Sequence, residues 1–247
     1  MWGDLSVKTA IITGGSGDIG RACCEKFYES GYNIVFGYLN NEKSANDLCE
    51  KLGDARCTCV KADISDITQA KKLVEAAAQK FGSVDVLVNN AGVSKSGLFQ
   101  EVSKDELEEI ININIKGAFY VTQEAVKNML KKHCGSIINV SSMWGETGAS
   151  MEVSYSMTKA AIIGFTKALA KEVGPSGIRV NCITPGLIDT KMNSCYNEEE
   201  LEAVVCETPL CRIGTADDVA NAAVFLASEK ASFVTGQIIG VNGGYVI

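Results

Sequence analysis

Proline is scarce, at three residues in 247. That is too few for a Pro-rich linker, so nothing marks a boundary and one continuous domain over residues 1–247 is expected. Histidine is scarcer: His133 stands alone, and the ten cysteines form no Cys-x-x-Cys pair. A zinc site therefore lacks both ligands and spacing, and no metal is expected. Positive charge is also in deficit, with 23 basic against 30 acidic residues and a net charge of −7. General affinity for nucleic acid or an anionic membrane needs the opposite sign. No uncharged apolar run reaches the roughly 18 residues of a bilayer span. Met1–Ser6 lacks a basic region followed by an apolar stretch, so a cytoplasmic protein with no secretory leader is expected. In that compartment the cysteines read as reduced and mostly buried thiols.

What is present is apolar sequence in a regular rhythm, with 46% hydrophobic residues and 24 glycines. Strand-like runs at 9–12, 33–36, 57–60, 84–88, 136–140, 178–183 and 236–241 alternate with amphipathic stretches. Helices are expected at 19–30, 44–52, 68–81, 104–115, onward to 132, 153–173, 198–206 and 216–226. Asp66 or Ser65 serves as a cap and Gly82 as a stop for the third of these. Near-continuous Val/Ile strands imply a parallel sheet covered on both faces. Right-handed crossovers then give an α/β doubly wound arrangement, with a mostly parallel seven-stranded sheet and helices on both faces. Residues 188–213 break the rhythm; polar and placed after a strand end, they suit a lid or substrate loop.

The turn Thr13-Gly14-Gly15-Ser16-Gly17-Asp18-Ile19-Gly20 follows the first strand and opens the first helix. Glycines let the backbone approach a diphosphate, and the helix start offers free N–H groups to it. An NAD site places a carboxylate at the end of the second strand for the ribose 2′-hydroxyl. Here that strand ends Phe36-Gly37-Tyr38-Leu39-Asn40-Asn41, with no acid before Glu42. NADPH is favoured over NADH, with Arg21 or Lys43 as the nearby cations. Asp18 sits uneasily beside a diphosphate, although a carboxylate suits a helix start. Further on, Tyr155 and Lys159 are one helical turn apart on one face. An ammonium there favours tyrosinate and would lower the phenol's pKa, allowing proton exchange near neutral pH.

Together these motifs resemble the short-chain dehydrogenase/reductase family, a Rossmann fold, from about Val7 to Tyr245. Residues 13–20 resemble its T-G-x-x-x-G-x-G turn, with Asp18 in place of the middle glycine. Asp63-Ile64 resembles its adenine-contacting pair, and Asn89-Asn90-Ala91-Gly92 its N-N-A-G segment. Pro185-Gly186 with Ile188 and Thr190 matches the segment that holds the nicotinamide carboxamide. Asn114, Ser142, Tyr155 and Lys159 match the catalytic tetrad. The resemblance implies carbonyl reduction by NAD(P)H, with Tyr155 as proton donor and Ser142 orienting the carbonyl oxygen. Lys159 would tune Tyr155 and hold the nicotinamide ribose, and Asn114 would support Lys159 through water. It also implies a homotetramer. By length and C-terminal motif the chain resembles 3-oxoacyl-acyl-carrier-protein reductases, but His133 and Ser176 stand where that branch carries basic residues. The stretch Ser141 to Ala149, with Glu152-Val153 and Tyr155 to Met157, resembles the elongation factor P 5-aminopentanone reductases. There Glu146 could pair with a cationic amine on the substrate and Trp144 offer it an aromatic face. The acyl-carrier substrate is the alternative, and a non-catalytic dinucleotide-binding protein the remote one.

Overall fold

The computed structural model describes residues 7–193 and 196–247. Met1–Ser6 and, within the expected lid, Ser194 and Cys195 lie outside the described residues. Seven strands form one all-parallel sheet, in the order β3-β2-β1-β4-β5-β6-β7. They are β1 (Thr9–Ile12), β2 (Asn33–Tyr38), β3 (Cys57–Lys61), β4 (Val86–Asn89), β5 (Gly135–Val140), β6 (Ile178–Pro185) and β7 (Ile238–Val241). The helices between them are α1 (Asp18–Glu29), α2 (Glu42–Leu52), α3 (Ile67–Phe81), α4 (Lys104–Ile111), α5 (Ala118–Lys132), α6 (Trp144–Thr147), α7 (Val153–Val173), α8 (Glu198–Glu207) and α9 (Ala216–Ala227). None is long and apolar enough to cross a membrane.

The period of two along each strand divides the core. Ala10, Ile12, Ile34 and Phe36 pack on one face with Phe27 of α1 and Val219 of α9. Ile11, Val35, Leu87 and Ile137 pack on the other with Leu73 of α3 and Val121 of α5. Burying each such side chain contributes roughly 1.5–3 kcal/mol, which makes the central strands the least negotiable part of the chain. Local signals set the helix ends: the Asp66 carboxylate accepts from the Thr68 and Gln69 N–H groups, and Gly82 takes the left-handed conformation at φ +75°. The nine described cysteines are all free thiols.

Two boundaries differ from expectation for a physical reason. The stretch 104–132 runs without a break, but residues 112–117 are wound as a π-helix between α4 and α5. An inserted residue of that kind bulges the backbone and re-aims a side chain, here Asn114. The short α6 was not expected, since four residues carry no periodicity. The strand order reverses between β1 and β4, so their C-terminal ends diverge and open a crevice, where open α/β sheets bind ligands.

Candidate active site

A cleft of about 870 Å³ opens at that crevice. On one side the glycine turn forms its floor. Gly14 has φ +68°, and a Cβ on Gly20 would meet the Gly14 carbonyl oxygen at 2.1 Å, so α1 can start this close only without one. Gly15 faces away from the cleft and packs on Phe36, where a Cβ would come within 2.6 Å. A Cβ on Gly17 would meet nothing nearer than 3.5 Å, so its side of the turn is open space at the start of α1. That cradle, edged by helix N–H groups, fits a dinucleotide diphosphate.

Ser16, Asp18, Ile19 and Tyr38 also line this half, as do Asp63 and Ile64. Asp63 Oδ1 accepts from the Ser65 hydroxyl at 2.7 Å, which holds the loop after β3 in place. Thr13 was missed in the sequence as a site residue. Its hydroxyl accepts from the N–H groups of Asn90 and Ala91, both at 3.0 Å, and Asn90 Nδ2 donates back to the Thr13 carbonyl. The turns after β1 and β4 are thereby locked together, with Asn90, Ala91 and Gly92 in the lining. Pro185, Gly186, Ile188 and Thr190 close the far end. The uneasy Asp18 has a partner: its carboxylate accepts from the backbone N–H of Lys191 at 2.7 Å.

The expected tetrad converges on the middle of the cleft. Ser142, Tyr155 and Lys159 line it, while Asn114 stands behind, 2% exposed. Asn114 Nδ2 donates to the Val93 carbonyl and to Thr158 Oγ1, and its Oδ1 accepts from the Val93 N–H. It thus pins the segment after β4 to α7. A Cβ on Gly92 would lie 3.2 Å from Asn114 Oδ1 and 3.3 Å from Lys159 Nζ, so both groups would have to give way slightly to a larger residue. Lys159 Nζ donates to the Val140 carbonyl at 2.9 Å and lies 5.5 Å from the centre of the Tyr155 ring. Gly145 of α6 is packed so closely on Lys159 that a Cβ would meet its backbone at 2.7 Å.

Electrostatics correct one expectation. Burial pushes the Tyr155 phenol up to about 12, against a lowering influence of its hydrogen bond with Ser142. Burial pushes Lys159 down to about 8. Desolvation dominates at both groups and favours the neutral phenol, the opposite direction from the lowering expected of a neighbouring ammonium.

The two substrate candidates separate. Trp144 lines the cleft, its ring edge-on to Tyr245 with centroids 5.8 Å apart. Glu146 is exposed and outside the lining, because α6 turns it to solvent. The carboxylates on the substrate side are instead Glu109 and Glu152.

Fold, cradle and convergent Ser–Tyr–Lys groups define a dinucleotide-dependent oxidoreductase. The chain belongs to the short-chain dehydrogenase/reductase family, and residues 15–246 match the family model described as enoyl-(acyl carrier protein) reductase. It is similar to the "uncharacterized oxidoreductase YmfI" of Bacillus subtilis, 41% identical over 96% of this chain and 98% of that protein. It is 38% identical to the 3-oxoacyl-[acyl-carrier-protein] reductase FabG of Staphylococcus aureus, over 96% of this chain and 97% of that one. A crystal structure titled as a short-chain dehydrogenase/reductase, glucose/ribitol dehydrogenase, from Brucella melitensis superimposes with a TM-score of 0.92, at 35% identity and 97% coverage of both chains. The protein is an NAD(P)-dependent oxidoreductase acting on carbonyl or alcohol groups.

Proposed function

We propose that the protein reduces a ketone carrying a cationic amine to its secondary alcohol, with NADPH, and that the aminopentanone group on elongation factor P is such a substrate. The observation that carries the reaction is the meeting of Ser142, Tyr155 and Lys159 in one cleft beside the glycine cradle. Assembled in this way, they leave no support for a non-catalytic dinucleotide-binding role. The turn Gly14–Gly20 would hold the diphosphate, Tyr38, Asp63 and Ile64 the adenosine end, and Pro185, Gly186, Ile188 and Thr190 the nicotinamide amide. Bound there, the reduced cofactor supplies the hydride that adds to the carbonyl carbon. Tyr155 gives its proton to the carbonyl oxygen, which Ser142 holds by a hydrogen bond. Lys159, anchored on Val140, stabilises the phenolate left behind. Asn114 keeps Gly92 and α7 in register.

NADPH is supported by the ribose end of the cleft, where Leu39, Asn40 and Asn41 present no carboxylate. Glu42 is paired with Lys61 at 3.5 Å. A reducing compartment, and so the cytoplasm, is supported by the free thiols. The segment 188–213 reads as the cover of the substrate, supported by Ile188, Thr190 and Met192 in the lining and by the Asp18–Lys191 bond. A homotetramer is supported by an exposed apolar face on α5 and α7 that includes Phe119 and Met157.

On the substrate side the lining holds two carboxylates, Glu109, paired with Lys95, and Glu152. An acidic cleft in a chain of net charge −7 suits a cation and steers poorly towards an acidic carrier. A 3-oxoacyl-acyl-carrier-protein substrate is the second reading, favoured by the names of several relatives. Initial rates with NADPH and NADH on amino ketones and on acetoacetyl thioesters test both. Turnover restricted to the thioesters removes the first reading. Tyr155→Phe is expected to lose roughly 10²–10⁴-fold in kcat while still binding NADPH; undiminished turnover would sink the proton-donor assignment.

A further inference from the structure

We infer that Glu152, clamped by Ser94 and Ser96, forms an ammonium subsite that selects ketones bearing a protonated amine. This deepens the amino-ketone reading above and rests on it. Glu152 immediately precedes α7, one turn before Tyr155, and both side chains line the cleft. A ligand whose carbonyl oxygen meets Tyr155 therefore has the Glu152 carboxylate in the same cleft, at the start of the same helix.

The carboxylate is fixed by neutral donors. The Ser94 hydroxyl donates to Oε2 at 2.6 Å, and the Ser96 hydroxyl donates to Oε1. These two bonds occupy two of about four lone-pair positions and leave the negative charge uncompensated. Glu109, the other carboxylate on this side, differs: its charge is taken by Lys95 in an ion pair. Among the described residues no lysine or arginine pairs with Glu152 in the same way. A half-buried, preorganised carboxylate with no countercharge is poorly suited to an acyl chain and well suited to an ammonium group, which would restore neutrality and donate to the free lone pairs. Trp144, which also lines the cleft, adds an aromatic surface of the kind that suits a cation. Glu146, which the sequence singled out for this role, cannot supply it from solvent.

The test compares kcat/KM for 5-dimethylamino-2-pentanone, protonated at neutral pH, with that for its uncharged isostere 6-methyl-2-heptanone, using NADPH. In the unaltered enzyme the ratio is expected to favour the cation at least tenfold, a modest value for a site built around one polar contact. Glu152→Gln is expected to bring the ratio to near one, chiefly through a higher KM for the cation. Glu146→Gln is expected to leave the ratio as it was. If Glu152→Gln does not fold, judged by NADPH binding, the Ser94→Ala/Ser96→Ala enzyme serves, with a several-fold fall in the ratio expected because the carboxylate is no longer held. A preference that survives these changes overturns the subsite while the amino-ketone reading stands. An unaltered enzyme with no preference for the cation overturns that reading and the subsite with it.

Discussion

Lys159 is 5% exposed and its ammonium has one hydrogen bond, to the Val140 carbonyl. The proposed mechanism needs this cation; the fold would be better without it, because a buried charge without a counterion is held at the expense of stability. Its pKa of about 8 in the folded protein lies below the ordinary 10.5. The unfolded chain therefore binds more protons between these values, so stability rises with pH across about 8 to 10.5. Below pH 8 both states are protonated and the penalty is constant. Lys159→Met is thus expected to lose nearly all activity and yet raise the cofactor-free Tm at pH 7 by several degrees, with the gain fading above pH 8. Calorimetry at pH 7 and pH 9.5 checks it; a lower Tm at pH 7 would refute the penalty. The spacing of Tyr155 and Lys159 was legible in the sequence because a helix puts i and i+4 on one face. The direction of their pKa shifts was not, since depth of burial is a property of the packed cleft. The placing of Glu146 and Glu152 was hidden on similar grounds: Glu146 is turned to solvent by α6, too short to leave a periodic trace, and Glu152 sits in the non-helical turn before α7.

At the scale of elements, Asp18 joins the first turn of α1 to the segment after β6. Two effects of the side chain oppose each other. Its charge would repel a diphosphate bound at the helix start as proposed, while its bond to the Lys191 N–H ties that segment to α1. The two can be separated. Asparagine at this position keeps an oxygen acceptor and removes the charge, so Asp18→Asn is expected to tighten NADPH binding severalfold. Asp18→Ala removes both, and its NADPH off-rate in stopped-flow fluorescence is expected to exceed that of Asp18→Asn by roughly the tenfold that one charge-free hydrogen bond commands. Equal off-rates would show that the bond to Lys191 holds nothing. The glycine turn itself was readable from its place between a strand and a helix. The bridge was not, because it links residues 173 positions apart, and no local pattern records such a contact. The π-helical turn that aims Asn114 was hidden for the opposite reason: it looks like ordinary helix in any hydrophobic pattern.

At the scale of the whole molecule, α7 leaves a seam of small and apolar residues unburied: Met157, Ala160, Ala161, Gly164 and Ala168 are all exposed. Their spacing of three and four places them on one side of the helix. Phe119 of α5, 47% exposed, packs on Phe165 beside this seam and extends it. A continuous apolar strip of this kind marks a candidate contact surface. In a two-fold assembly the same strip on a second copy would cover it, and the small side chains would let the two helices approach closely. Gly164 would then face its own counterpart near the axis, where each substitution would act twice and like charges would meet. Gly164→Arg is therefore expected to shift the protein to smaller species in sedimentation velocity, with a lower Tm and reduced kcat. The exposed position gives the arginine room in the isolated subunit, since nothing lies within 4 Å of a Cβ there. An unaltered sedimentation profile would show that this face of α7 is not where the copies meet.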